Sequence, residues 1–256
     1  MILTPKFVFI ANPKTGSTSA EWLIFKAWSS RPIVFRFFDK LLIWSKISGP
    51  RCSVFLVSGT KGVRHKHANF TQIPDSHRNL PVIATFRNPT DWIASHLRYD
   101  NDKHVAENIL GKEAPKSIAT SINNYLEYGD MLRTKHSLKN KNIGYFTFHF
   151  INQMHHDPDS LFLKLNDGES CQFDSFSRIK FMHFPHQIDD LKSFMDEFNF
   201  CTSSLSKLPD NIIKNRSLKA LTSQEEQIVK KYTENHEPML VQWYSQFKKN
   251  LENAQP

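Results

Sequence analysis

Phe7-Val-Phe-Ile-Ala-Asn-Pro-Lys-Thr-Gly-Ser-Thr-Ser-Ala-Glu-Trp-Leu23 is the stretch whose reading decides the fold. The apolar run 7–11 reads as a buried strand. Pro13 ends it, and Lys14, Thr15, Gly16, Ser17 and Thr18 lead into a helical pattern over 16–29. A strand that turns through a glycine into a helix leaves backbone N–H groups free at the helix N-terminus. Those groups, the helix dipole and a lysine ammonium together suit a phosphate or a similar anion. Gly16 permits a close backbone approach, and the serine and threonine hydroxyls add donors. The stretch is thus an anion cradle by composition. It lacks the full phosphate-loop pattern, because Lys14 precedes Gly16 rather than following the second glycine.

Outward from the cradle, strands alternate with helices. Strands are expected at 53–57, 80–86, 142–150 and 179–182. Helices are expected from Pro89 to about residue 99, and over 117–135, 187–198, 222–234 and 237–250. The helix from 222 is announced by the capping box Thr222-Ser-Gln-Glu225. Residues 151–176 carry no clear periodicity. This alternation predicts an α/β fold with a mostly parallel sheet covered on both faces, in one domain spanning 1–256. Ligands of such sheets bind beyond the carboxyl ends of the strands. Lys14, the loop 58–67 and Arg87 all follow strand ends and are candidates to converge there.

Composition narrows the partners. The 256 residues carry a net charge of +8 with histidine neutral. That balance favours anionic ligands such as nucleotides, acidic glycans, nucleic acid or a membrane surface, without choosing among them. Cys52, Cys171 and Cys201 lack metal-ligand spacing, and an odd, sparse set reads as reduced thiols. No apolar run approaches the roughly 20 residues of a membrane span. No leader pattern is visible, which points to the cytoplasm. The segment 35–47 places Arg36, Lys40 and Lys46 among aromatics and reads as a buried or substrate-lining helix, with a membrane-surface helix as the alternative. His155-His156-Asp157 and the pair His183 and His186 read as ordinary histidines, and no metal site is expected.

A second anion motif lies at Arg87-Asn-Pro-Thr-Asp-Trp-Ile-Ala-Ser95. Arg87 offers a planar fork for a phosphate, and Ser95 adds a neutral donor two turns on. Two anion sites fit a nucleotide carrying groups at its 5′ and 3′ positions. In these two motifs and their order the chain resembles the sulfotransferases that use 3′-phosphoadenosine 5′-phosphosulfate (PAPS). The segment 13–18 resembles their 5′-phosphosulfate loop, and Arg87, Pro89 and Ser95 match their 3′-phosphate motif. Asn215-Arg-Ser217, Leu221-Thr222 and Tyr232 resemble the family's tail more loosely.

The resemblance implies a three-layer α/β/α fold of the P-loop nucleotide-hydrolase-like sulfotransferase type. It implies that Lys14 meets the phosphosulfate bridge and that Thr15, Gly16, Ser17 and Thr18 wrap the 5′-phosphate. Arg87 and Ser95 would hold the 3′-phosphate, and Arg216 and Ser217 would close over the nucleotide. The segment Lys61-Gly-Val-Arg-His65-Lys-His67 resembles the His-x-His segment of glycan uronyl 2-O-sulfotransferases. On that alignment His67 is the general base, with Arg64, His65 and Lys66 facing the acceptor; His65 is the alternative base. Histidine titrates near neutrality without perturbation, as this role asks. PAPS is the implied co-substrate, no metal is needed, and the acceptor would be a carbohydrate or small-molecule hydroxyl or amine. No nucleic-acid partner and no stable membrane insertion are expected. Two rival functions share the same residues. One is a nucleotide kinase or triphosphatase, which needs magnesium carboxylates at strand ends where this chain has Arg87. The other is a non-enzymatic basic binder of nucleic acid or acidic glycan.

Overall fold

The computed structural model describes residues 1–4, 6–29, 55–56, 67–98, 104–184, 186–197 and 220–253. The chain divides into two compact units, Met1–Phe86 with Ser177–Lys214, and Arg87–Phe176 with Asn215–Pro256. Among the described residues no helix is long and apolar enough to cross a membrane. The segment 35–47, Cys52, Cys201 and most of the expected strand 53–57 lie outside the described residues.

The first unit is built on five strands: β1 (Ile2–Leu3), β2 (Val8–Ile10), β3 (Phe55–Leu56), β4 (Val82–Phe86) and β5 (Ile179–His183). Their order is β3-β1-β2-β4-β5. β2, β4 and β5 are parallel, with Phe9 opposite Ile83 and Ile83 opposite Lys180. β1 runs antiparallel to both β2 and β3. The sheet is therefore mixed, where a mostly parallel one was expected. The cause is a tight return at Thr4. Its hydroxyl accepts from Phe7 N at 2.9 Å, and its own N–H donates to Phe7 O at 3.0 Å. Such a return folds residues 2–3 back beside β2, and a two-residue strand is too short to show periodicity.

Two helices cover one face of this sheet, α1 (Ser17–Ser29) and the helix Gln187–Glu197, numbered α6 in chain order. Ala20, Leu23 and Ile24 of α1 and Leu191, Phe194 and Met195 of α6 repeat at helical spacing. They pack with Phe7, Phe9, Ala11, Ile83 and Met182 of the strands and their extensions. Burying each large apolar side chain contributes about 1.5–3 kcal/mol. This core fixes the start of α1 against the end of β2, which is what shapes the cradle.

The second unit is helical. Its elements are α2 (Pro89–Leu97), α3 (Ile118–Lys135), α4 (Tyr145–Met154), α5 (Pro158–Asn166), α7 (Ser223–His236) and α8 (Pro238–Asn253). Its core is aromatic, as a chain with 21 phenylalanines suggests. Trp92 meets Phe146 edge-on at 5.5 Å, and Phe176 meets Trp243 at 5.1 Å. Trp243 Nε1 donates to Cys171 O at 2.9 Å. The capping box at Thr222 and Glu225 is formed and opens α7.

Two expectations fail in this unit. The stretch 142–150, expected as a strand from its aromatic alternation, is the coil into α4 and most of that helix. Phe146, Phe150 and Met154 stack four apart on its buried face, with Thr147 and Ile151 beside them. Its N-terminus is capped from afar. The buried Glu237 carboxylate accepts from Phe146 N at 3.0 Å, Thr147 N at 2.8 Å, Thr147 Oγ1 at 2.6 Å and Tyr232 Oη at 3.1 Å. Gly144 precedes the helix because a Cβ there would collide with His236 O and the Glu237 carboxyl. The stretch 151–176, expected as irregular, contains the end of α4 and all of α5. Asp157 caps α5 by accepting from Ser160 N at 3.1 Å, and Pro158 occupies its first position.

Candidate anion-binding site

The cradle is an unusual backbone turn. Lys14 has φ 60° and Gly16 has φ 81°, both in the left-handed region. That region costs a non-glycine residue about 1–2 kcal/mol, and residues held there gather at ligand sites. Alternating handedness of this kind turns successive N–H groups inward to make an anion-binding concavity. The Gly16 carbonyl accepts from Ser19 N at 3.0 Å and so starts α1, whose first N–H groups lie beyond the intrahelical ladder. Ser17 is buried, Lys14 is half-buried and Thr18 is exposed. Thr15 is buried and its hydroxyl donates to Asn12 O at 2.9 Å, so the side chain braces the loop and only its backbone is left for a ligand.

Gly16 is also sterically obliged to be glycine. A Cβ there would lie 2.7 Å from Gln187 Nε2 and 2.9 Å from Phe184 Cδ2. Phe184 and Gln187 follow β5, and Phe184 N donates to Phe86 O at 3.0 Å, extending the β4–β5 pairing. The segment after β5 is thereby drawn onto the cradle loop.

His67 joins the same unit. Its ring Nδ1 lies 2.6 Å from Ala11 O. A carbonyl oxygen only accepts, so Nδ1 carries the proton and donates it. The neutral ring then has its lone pair at Nε2, the nitrogen that can take a proton. His67 is exposed and is followed by the buried Ala68. The histidine singled out as base thus donates from Nδ1 to the residue that follows β2, three positions before Lys14.

β2 and β4 are parallel neighbours with Ile10 opposite Ala84, so the chain leaves both at the same end of the sheet. Arg87 opens the second unit. Asn88 caps α2, its Oδ1 accepting from Thr90 N at 3.0 Å, and Pro89 takes the first helical position. Burial lowers the Arg87 pKa from its ordinary value; Asp91 raises it and Arg98 lowers it. A guanidinium partly stripped of water beside one carboxylate and another cation gains most from an added anion. Ser95 is half-buried on α2. Arg98 lines a cavity of about 460 Å³ with Thr90, Asp91, Ser223, Glu226 and Lys230.

No protein-family model, curated protein or solved structure matches the chain. The site therefore rests on its own residues. The structure ties His67 to Ala11, two residues before the turn 13–18, and it sets Arg87 just before α2. Arg64, His65, Lys66, Arg216 and Ser217 lie outside the described residues. Sequence reasoning missed Asn12, Thr85 and Gln187, which are buried polar side chains around the cradle. Asn12 and Thr85 sit inside or beside apolar runs and Gln187 at a helix start, so nothing local to each marks it.

Proposed function

We propose that the protein is a sulfotransferase that moves a sulfuryl group from PAPS to a hydroxyl or amine of a carbohydrate acceptor. The observation that carries this reading is the His67 Nδ1 contact with Ala11 O at 2.6 Å, which ties an imidazole to the residue two positions before the turn 13–18. A cradle alone suits any phosphate. A cradle with a neutral, oriented histidine suits transfer to a hydroxyl or amine that must lose a proton.

The fit of an anionic donor to this chain is good on three counts. Lys14 and Gly16 adopt the backbone of an inward-facing N–H concavity, residue 16 has no room for a side chain, and buried polar side chains surround the turn. PAPS would supply the sulfuryl group. The 13–18 turn would hold its 5′ end through Lys14, the backbone of Thr15 and Gly16, and Ser17 and Thr18. Arg87 and Ser95 would hold the 3′-phosphate, with Arg216 and Ser217 closing over the nucleotide. The Lys14 ammonium would offset negative charge gathering on the bridging oxygen. Charge stabilisation and positioning are the main contributions a protein makes to transfers of this kind. His67 would take the acceptor's proton at Nε2, and Arg64, His65 and Lys66 would face an acidic acceptor. The three-layer arrangement of helices about the sheet belongs to the same proposal.

The test is transfer of radiolabelled sulfate from PAPS to a panel of uronic-acid-containing glycans. His67→Ala is expected to lower kcat by roughly 100-fold or more while leaving nucleotide affinity nearly unchanged, in the range of lost general-base catalysis. Equal losses in both would remove the catalytic role. Magnesium-dependent turnover of ATP, without transfer from PAPS, would favour a kinase.

A further inference from the structure

Near the carboxyl ends of the parallel strands lie three buried neutral side chains, each with a polar atom that lacks a partner among the described residues. Asn12 is 1% exposed, Thr85 0% and Gln187 5%. Asn12 Nδ2, Thr85 Oγ1 and Gln187 Oε1 find no hydrogen-bond partner among the described residues. Native proteins pair nearly all such groups, so a cluster of exceptions marks a place built for something else. The three come from three elements: the end of β2, the end of β4 and the first residue of α6.

Their placement is not scattered. Thr85 is two residues beyond Ile83 and opposite Met182, both in the core under α1 and α6, so its hydroxyl faces the helices that frame the cradle. Asn12 lends its carbonyl to Thr15 inside the turn. Gln187 rests its amide against Gly16, close enough to exclude a methyl group.

We propose that Asn12, Thr85 and Gln187 are ligands of the anion held by the cradle, binding its oxygens through neutral groups, with Gln187 turning its amide toward the anion when one is bound. This deepens the anion-binding reading of the turn 13–18. It does not depend on the anion being a sulfate donor. Asn12 and Thr85 supply donors, and the Gln187 amide supplies an N–H. Neutral donors add grip and fix orientation without stacking further positive charge around Lys14.

The experiment is calorimetric titration of the whole chain with inorganic pyrophosphate and, separately, with adenosine 3′,5′-bisphosphate. The variants are Thr85→Val and Gln187→Met, each close in shape to the native residue, and Gln187→Glu. Thr85→Val and Gln187→Met are expected to weaken pyrophosphate binding roughly 3- to 10-fold each, the effect of one neutral hydrogen bond. Gln187→Glu is expected to weaken it further by placing a like charge beside the anion. The thermal midpoint of the first two variants, measured without added anion, is expected not to fall, because each removes a buried polar atom that had no partner. Unchanged pyrophosphate affinity in both variants would overturn the proposal, as would a lost affinity that tracks a fallen midpoint. Binding of pyrophosphate with the expected losses, but no binding of the bisphosphate, would sink the sulfate-donor reading and leave this one standing. Tight bisphosphate binding that ignores all three substitutions would do the reverse. Failure of the native chain to bind either probe would overturn both.

Discussion

Gly16→Ala is the substitution that bears hardest on the cradle. The native φ of 81° places an alanine in the left-handed region, at a cost of about 1–2 kcal/mol. Its methyl would meet Gln187 Nε2 at 2.7 Å and Phe184 ring carbons at 2.9 and 3.0 Å, and forcing an extra carbon into a packed site costs about 1–3 kcal/mol. Reduced freedom of the unfolded chain offsets about 0.4–1 kcal/mol. The net expectation is a loss of about 2–4 kcal/mol. The two contributions separate in a second background. Gln187→Ala added to Gly16→Ala removes one of the crowding atoms and should restore about 1 kcal/mol, while the backbone cost and the Phe184 contact remain. Urea unfolding monitored by tryptophan fluorescence gives the stability, and bisphosphate titration gives the function. A Gly16→Ala chain within about 0.5 kcal/mol of the native one, binding the bisphosphate as tightly, would refute both the crowding argument and the place of residue 16 in the site.

Other consequences are as specific. Arg87→Ala should weaken adenosine 3′,5′-bisphosphate by about 1.5–3 kcal/mol while leaving 5′-AMP affinity unchanged, since only the former carries a 3′-phosphate; equal losses for both ligands would deny Arg87 that role. Asn88→Ala removes the cap of α2 and should cost about 1 kcal/mol of stability in urea titration, with a smaller loss of bisphosphate affinity because Arg87 adjoins the cap. Glu237→Gln puts an amide NH₂ among donors and should be strongly destabilising, by about 2–4 kcal/mol, read as the urea midpoint. Burial raises the Glu237 pKa, chiefly by desolvation and against the hydrogen bonds from Thr147, Phe146 and Tyr232. A carboxyl with a raised folded-state pKa contributes stability that is full below its unfolded value of about 4.3 and is lost as pH rises through the folded value. The stability of the native chain relative to Glu237→Gln should therefore decline as pH rises through that window, and an increase would contradict the assignment.

The parts of the fold that were legible in the sequence are those whose signals are local. The strand ending at Ala11, the turn through Gly16 and the helix after it are read from apolar run, breaker and periodicity within twenty residues. The cap at Thr222 is read from a capping box within four residues, and the start of α2 from Pro89 at its first position. The parts that were not legible depend on partners far along the chain. The stretch 145–154 alternates aromatics like a strand, yet Glu237, some 90 residues later, caps it as a helix. β1 is set by the return at Thr4 and by pairing with β3, not by its own two residues. The same division holds in the site. His67 was singled out from its neighbours in a basic, histidine-bearing segment, whereas its contact with Ala11, 56 residues away, was not. Gln187 was not, because its importance lies in its distance to Gly16 across the end of the sheet.

The proposed function requires that the turn 13–18 and Arg87 serve one adenosine ligand phosphorylated at both ends. Calorimetric titration of the full chain with adenosine 3′,5′-bisphosphate, beside ATP and 5′-AMP, tests it most directly. Selective, saturable binding of the bisphosphate, lost in Lys14→Ala and reduced toward the 5′-AMP level in Arg87→Ala, is the predicted result. Binding of ATP as tightly as the bisphosphate, or a bisphosphate affinity indifferent to both substitutions, would contradict it.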